Sequence, residues 1–290
     1  MSFMLKPEML RCPDCRSERI SAANGDMPGF SCTACGVFME KRGPVLNALP
    51  KKLSMNTVIN LGHYEEMAKS DHSHLDNRGK TRNHRTKFDA LTEFLELGTA
   101  GERFSVFEMG TGAGTHGAEF ARRGHHYVGL DISAKALYRA AAGNAPLAES
   151  LLIAGDATAI PLQDNLFDRV FCVAMLHHLP EPLDGLRELI RVLKPGGRYC
   201  LIEPRWFHPA QIRGWMRHPD VEVGTFKVMQ RRIFRALAGC GVREKRVRSC
   251  VYTPNRPAWL VPAYDVVDTI CGAFPPLHAL SVVRCTYGVK

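Results

Sequence analysis

The stretch FEMGTGAGTHGAEFARRG, residues 107–124, most constrains what this chain can fold into. An apolar segment enters a turn carrying Gly110, Gly112 and Gly114, and an amphipathic segment leaves it. Glycines there let the backbone pass close to a ligand without a Cβ in the way, and the following helix turns its N-terminus toward that ligand. Two patterns are superimposed. Gly112, Gly114 and Gly117 spell G-x-G-x-x-G; Glu108 with Gly110, Gly112 and Gly114 spells E-x-G-x-G-x-G. The first is the dinucleotide fingerprint, and the second points to a different adenosine ligand. Asp131 ends the apolar run HYVGLD about twenty residues on, where a carboxylate can accept both hydroxyls of a ribose.

From Arg103 onward strand and helix patterns alternate. RFSVFEM, HYVGLD, SLLIAGDA, FDRVFCVAML and RYCLIEP read as strands. THGAEFARRG, ISAKALYRAAAG and PLDGLRELIRVLKPGG read as helices, the last closed by Pro195 and two glycines. REKRVRSCVY and LSVVRCTYGVK supply two closing strands. The expected fold is α/β, a doubly wound, mostly parallel, Rossmann-like sheet of seven strands. Its ligand crevice lies beyond the C-terminal strand ends, where Glu108, the glycines, Asp131, Asp156 and His177 all fall.

The first 35 residues carry CPDC and CTAC, two C-x2-C pairs with sixteen residues between them. Two such knuckles place Cys12, Cys15, Cys32 and Cys35 for a tetrahedral S4 site that favours Zn2+ and leaves no open position, so the metal is structural. So short a ribbon depends on its metal for folding energy. KRGPVLNALPKK, with two prolines, reads as a linker. The expected division is ribbon and linker over 1–50, a helical lid over 51–102, and the main domain over 103–290 with a lid insertion at about 205–235. The other six cysteines have no regular spacing and are expected reduced and buried.

No run of about 18 apolar residues is present, and the first residues lack a secretory pattern, so a cytoplasmic protein is expected. The formal net charge of +9 is unevenly spread. Twelve Lys/Arg face three acids between Arg205 and Arg256, and Arg78–Lys87 holds five basic residues with no acid. Such patches suit an acidic partner: a phosphorylated substrate, RNA or a membrane surface.

In this frame the chain resembles the class I S-adenosylmethionine-dependent methyltransferases over roughly residues 60–205, and more loosely to the end. The resemblance rests on FEMGTGAGT, VGLD, AGDATAIPL, FDRVFCVAMLHHL and LIRVLKPGGRYCLIEP, in that order. It implies that Glu108 and the loop Gly110, Thr111, Gly112 and Gly114 face the methionine moiety. Asp131, with Ile132, would meet the ribose; Asp156 would bind the adenine amine and the Ala157 backbone the ring. A tyrosine near the start of the N-terminal lid, here Tyr64, would reach the methionine carboxylate. Thr111 and Ala113 stand where the family often has a cysteine or second acid, a conservative departure. No N-P-P-Y motif follows the fourth strand, which lowers nucleic-acid amino groups on the substrate list, and AMLHHLPEP resembles the small-molecule and lipid branch.

His177 and His178 follow the fourth strand and are the candidate general bases for a hydroxyl acceptor. His74, Arg78 and Arg82 of the first lid could meet the substrate. In the second lid Trp206, Phe207 and Trp215 beside Arg205, Arg213 and Arg217 could bind an aromatic or lipidic anion. The expected activity is S-adenosylmethionine-dependent methylation of a small or lipid-like, acidic or aromatic metabolite, in a cavity walled by residues 62–90 and 205–235. The alternatives are an RNA methyltransferase that grips RNA with ribbon and basic patches, and a non-catalytic scaffold.

Overall fold

The computed structural model describes residues 5–23, 27–69, 82–98, 101–205, 207–251 and 260–290. Along the chain the strands are β1 (Ile20–Ala22), β2 (Gly29–Cys32), β3 (Phe38–Arg42), β4 (Val45–Asn47), β5 (Ser105–Met109), β6 (His126–Asp131), β7 (Leu151–Ala154), β8 (Phe167–Val173), β9 (Leu193–Pro204), β10 (Arg246–Val251) and β11 (Val283–Val289). The helices are α1 (Met55–Lys69), α2 (Arg82–Phe94), α3 (Thr115–Arg122), α4 (Ala134–Gly143), α5 (Ala145–Ala148), α6 (Pro182–Val192), α7 (Pro209–Arg217), α8 (Gln230–Gly239) and α9 (Val261–Ala273).

The expected seven strands lie in the order β7-β6-β5-β8-β9-β11-β10. The first five run parallel; β11 pairs antiparallel with β9, and β10 antiparallel with β11. All four residues of β7 are buried, as a continuous apolar run covered on both faces requires. The fold also departs from the expectation at β7's outer edge. KRGPVLNALPKK is no linker: it contains β4, which pairs in parallel with β7, Val45 opposite Leu152 and Asn47 opposite Ala154. Pro44 O accepts from Leu152 N at 2.9 Å, and Ala154 O from Ala48 N at 2.8 Å. Through β4 the ribbon strands β1–β3 extend the sheet to eleven among the described residues.

The ribbon is therefore held by packing against the main domain. Leu10, Phe30, Met39 and Leu46 share one apolar core with Met109, Leu130 and Ile153 of the main domain. Full burial of one such side chain stabilises by about 1.5–3 kcal/mol. Arg16 fastens the first knuckle to α6, with Nη2 2.8 Å from Glu188 Oε2 and Nη1 donating to Ile160 O.

Four further corrections concern packing. Residues 82–97 are less a lid than a helix on the sheet, because Phe88, Leu91, Phe94 and Leu95 pack with Phe120, Phe171 and Ile202. The segment PLDGLRELIRVLKPGG is helical only to Val192; Leu193 already begins β9. Helix α9 intervenes between the two closing strands, where none was expected. Cys250 and Cys285 are not free thiols but form a disulfide between β10 and β11, whereas Cys172, Cys200 and Cys271 are buried and free and Cys240 is half-buried and free.

Candidate active site

Beyond the C-terminal ends of the parallel strands lies a cavity of about 840 Å³, within the roughly 300–1,000 Å³ range of small-molecule and cofactor sites. Its walls bring together Tyr64, Glu108, Gly110, Thr111, Gly112, Asp131, Ile132, Asp156, Ala157, His177 and His178. Gly114 is the exception. It caps α3 at φ 70°, and a Cβ there would stand 2.3 Å from Leu147 Cδ1, so this glycine serves the turn and its packing instead of the cavity wall.

The sheet positions the cofactor end. Gly110, at φ 84°, lies so close to Met175 that a Cβ would meet Cγ at 2.4 Å. Asp131 pins the loop: Oδ2 accepts Gly112 N at 2.8 Å and Oδ1 accepts Ser133 N at 2.9 Å. Asp156 Oδ1 closes its own turn by accepting Thr158 N at 2.8 Å and Thr158 Oγ1 at 2.7 Å. Glu108 is 2% exposed, and burial pushes its carboxyl up to about 8 although Tyr127 OH donates to Oε2. His116 Nδ1 lies 3.5 Å from Glu108 Oε1, while its Nε2 is buried without a hydrogen-bond partner among the described residues. Such an orphaned polar atom beside a buried carboxyl suits a polar ligand group.

The other end is built by the chain leaving β8. Ala174 takes φ 51°, unusual for a residue with a Cβ, and this turns the following N–H groups onto one carboxylate. Glu203 Oε1 accepts Met175 N at 3.0 Å and Leu176 N at 2.9 Å, while Oε2 lies 2.7 Å from His177 Nδ1. His177 Nε2 faces Glu222 Oε2 at 3.5 Å. His178 donates Nδ1–H to Val221 O at 3.2 Å, and burial beside His177 lowers its pKa to about 3. Tyr64 meets the His178 ring edge-on at 5.6 Å, and His63 lies 5.6 Å from the His218 ring. Asn60 donates to His178 O at 2.9 Å.

Sequence reasoning missed Glu203, Glu222, His63, Lys87 and His116 as wall or supporting residues. Glu203 had a visible signal, an acid ending the fifth strand; the others depend on which helix folds over the cavity. The wall from residues 62–90 and 205–235 is present as His63, Tyr64, His84 and Lys87, and as His218, Val221 and Glu222. Several expected contacts are not made. Arg82 is bound to Asp265 and Asp268 of α9, and Arg205 is buried on Ser281, Ser249 and His278 O. Trp215 packs against Phe226 at 5.0 Å, Arg213 and Arg217 are exposed, and Phe207 lies beneath the Arg205 guanidinium, away from the cavity. His74, Arg78 and Trp206 lie outside the described residues.

Part of the chain resembles known proteins. Residues 107–201 match the methyltransferase domain family. Demethylmenaquinone methyltransferase of Clavibacter sepedonicus is 39% identical over 107 residues, 36% of this chain and 42% of that protein. The 2-methyl-6-phytyl-1,4-hydroquinone methyltransferase of Spinacia oleracea is 37% identical over 97 residues, 32% of this chain and 28% of that protein. The chain thus spans less than half the length of these curated relatives. Among solved structures, geranyl diphosphate C-methyltransferase from Streptomyces coelicolor A3(2) shares the fold with a TM-score of 0.59 at 16% identity, over 83% of this chain and 100% of that one. Residues 107–201 thus match a methyltransferase domain, and the seven-stranded sheet that contains them has the fold of the solved methyltransferase.

Proposed function

We propose that the chain transfers a methyl group from S-adenosylmethionine to a small, lipid-like aromatic acceptor of the hydroquinone type. The observation that carries this reading is the single cavity in which Glu108, the loop from Gly110 to Gly112, and Asp131 share walls with Tyr64, His177 and His178. The names of the quinone-directed relatives support the acceptor class. Bound in this cavity, S-adenosylmethionine supplies an activated methyl. Glu108 would meet its ammonium, Asp131 and Ile132 its ribose, and Asp156 and the Ala157 backbone its adenine. Orientation of the two reactants in line can supply about 7–11 kcal/mol of the barrier reduction. His177 and His178 stand at the acceptor end of the cavity, where the acceptor's ionisable proton is lost.

Charge distribution favours this reading over RNA. Arg11 and Arg16 of the ribbon pair with Glu18 and Glu188, and Arg82, Lys227 and Arg248 have acidic partners. These five cations are thereby engaged by carboxylates instead of phosphates.

Four thiolates fit a structural Zn2+. Cys12 and Cys35 Sγ are 3.5 Å apart, and Cys15 and Cys32 Sγ 3.6 Å. Zn–S bonds of about 2.3 Å in a tetrahedron put sulfurs about 3.8 Å apart. Cys32→Ser should release about one zinc per chain and loosen residues 1–45. An undiminished zinc content in that variant would remove the assignment.

Incubation with methyl-labelled S-adenosylmethionine and a demethylmenaquinol or phytyl-hydroquinone probe tests the activity. Label should enter the organic-extractable product and survive nuclease treatment. Label incorporated into RNA, or lost on nuclease treatment, would replace the small-molecule reading with the RNA one.

A further inference from the structure

We propose that His177, His178 and Glu222 form a binding site for a divalent transition-metal ion at the acceptor end of the cavity. The argument is one of lone pairs. The Glu203 carboxylate only accepts, so the proton on its 2.7 Å contact sits on His177 Nδ1. In the neutral ring that a metal requires, Nε2 is a lone pair facing Glu222 Oε2 at 3.5 Å, a contact that only a cation, a second ring proton or a metal, can satisfy. His178 is fixed in the same sense. The Val221 carbonyl can only accept from His178 Nδ1, so the other ring nitrogen of His178 is a lone pair.

One candidate ligand atom from each of His177, His178 and Glu222 lies within 4.8 Å of the other two. The side chains are 5% exposed at His177 and 17% at Glu222, so water does little to separate their facing lone pairs. Gln211 Nε2 at 2.7 Å and Thr225 Oγ1 at 3.2 Å orient Glu222 Oε2 but bring no positive charge. A cation between the acceptors satisfies them together. Metal bonds of about 2.0–2.2 Å put adjacent tetrahedral ligands roughly 3.3–3.6 Å apart, which the His177–Glu222 spacing already meets. Glu203 behind His177 completes a carboxylate–histidine–metal arrangement that fixes tautomer and ring orientation. Two imidazoles and one carboxylate suit Zn2+, Fe2+, Co2+ or Mn2+ better than Mg2+ or Ca2+.

The three ligands border the cavity and leave the remaining coordination positions toward it. An acceptor oxygen bound there loses its proton to water more readily than a free hydroxyl does. This last consequence rests on the proposed methyl transfer; the metal site itself does not.

Equilibrium dialysis of the metal-stripped full chain against Zn2+ tests the site. The wild type should bind two equivalents per chain, one at the four thiolates and one here. Glu222→Gln and His178→Gln should each keep only one, as should Cys32→Ser, and double replacement of Cys32 and Glu222 should keep none. Retained S-adenosylhomocysteine binding and an unchanged melting profile show that the cavity variants fold. A single wild-type equivalent lost wholly in Cys32→Ser overturns the site, as does a second equivalent indifferent to Glu222→Gln. Methyl transfer with no second equivalent removes the metal but leaves the function; a second equivalent without transfer supports the metal and removes the acceptor reading.

Discussion

Glu203 Oε2 accepts a hydrogen bond from His177 Nδ1 at 2.7 Å, and its other oxygen holds the two N–H groups that precede that histidine. One carboxylate therefore sets both the position of the histidine turn and the tautomer of the ring. In Glu203→Gln the amide oxygen can keep Met175 and Leu176, but the amide N–H must donate to Nδ1. The imidazole proton moves to Nε2, toward Glu222. Methyl transfer should fall about 10–100-fold, the usual cost of losing such a supporting partner. S-adenosylhomocysteine affinity, read by calorimetry on the same sample, should change less than twofold. Equal losses in both would mean that Glu203 only maintains the fold.

Proton release on ligand binding probes the opposite end. Burial raises the Glu108 carboxyl to about 8, so it is protonated in the free protein near neutrality. A cationic ammonium beside it favours the ionised form and lowers that pKa. Binding below pH 8 should therefore expel a proton, approaching one per site near pH 6.5 and vanishing above pH 9. Calorimetry with S-adenosylhomocysteine in buffers of different ionisation heat measures the number. Glu108→Gln should abolish it while keeping the acceptor for Tyr127 OH. Proton uptake, or release unchanged in that variant, would place the ammonium elsewhere.

The shared core makes the ribbon part of one cooperative unit. Leu46 is fully buried between β3 and β7, so Leu46→Ala should cost about 2–5 kcal/mol. Urea unfolding followed by far-UV circular dichroism and by zinc release should give coincident, equally shifted transitions. Two separate transitions would return the ribbon to the status of an independent domain.

Local pattern carried the seven-stranded sheet and the cofactor loop because their signals are short-range. HYVGLD is β6 residue for residue, and the glycines fall where positive φ is needed. β4 was invisible for the opposite reason. Three residues between two prolines show no period, and their partner β7 lies about a hundred residues away. Helix α9 was hidden because Val266, Val267 and Ile270 are apolar yet exposed, which blurs a helical stripe. The lid aromatics misled because packing and ligand contact look alike in sequence; Trp215 chose Phe226. Glu222 reaches His177 from a different segment, a meeting that only the folded chain creates.

The most direct measurement of the central claim is equilibrium binding of S-adenosylhomocysteine to the wild type and to Asp131→Ala. Asp131 ends β6 in the cavity wall, where its carboxylate would bond the ribose hydroxyls. Removing that charge-assisted hydrogen bond should cost about 1.5–3 kcal/mol, roughly a 10- to 150-fold rise in Kd, with NAD binding far more weakly than S-adenosylhomocysteine throughout. Unchanged affinity in Asp131→Ala, or a preference of the wild type for NAD, would contradict the account.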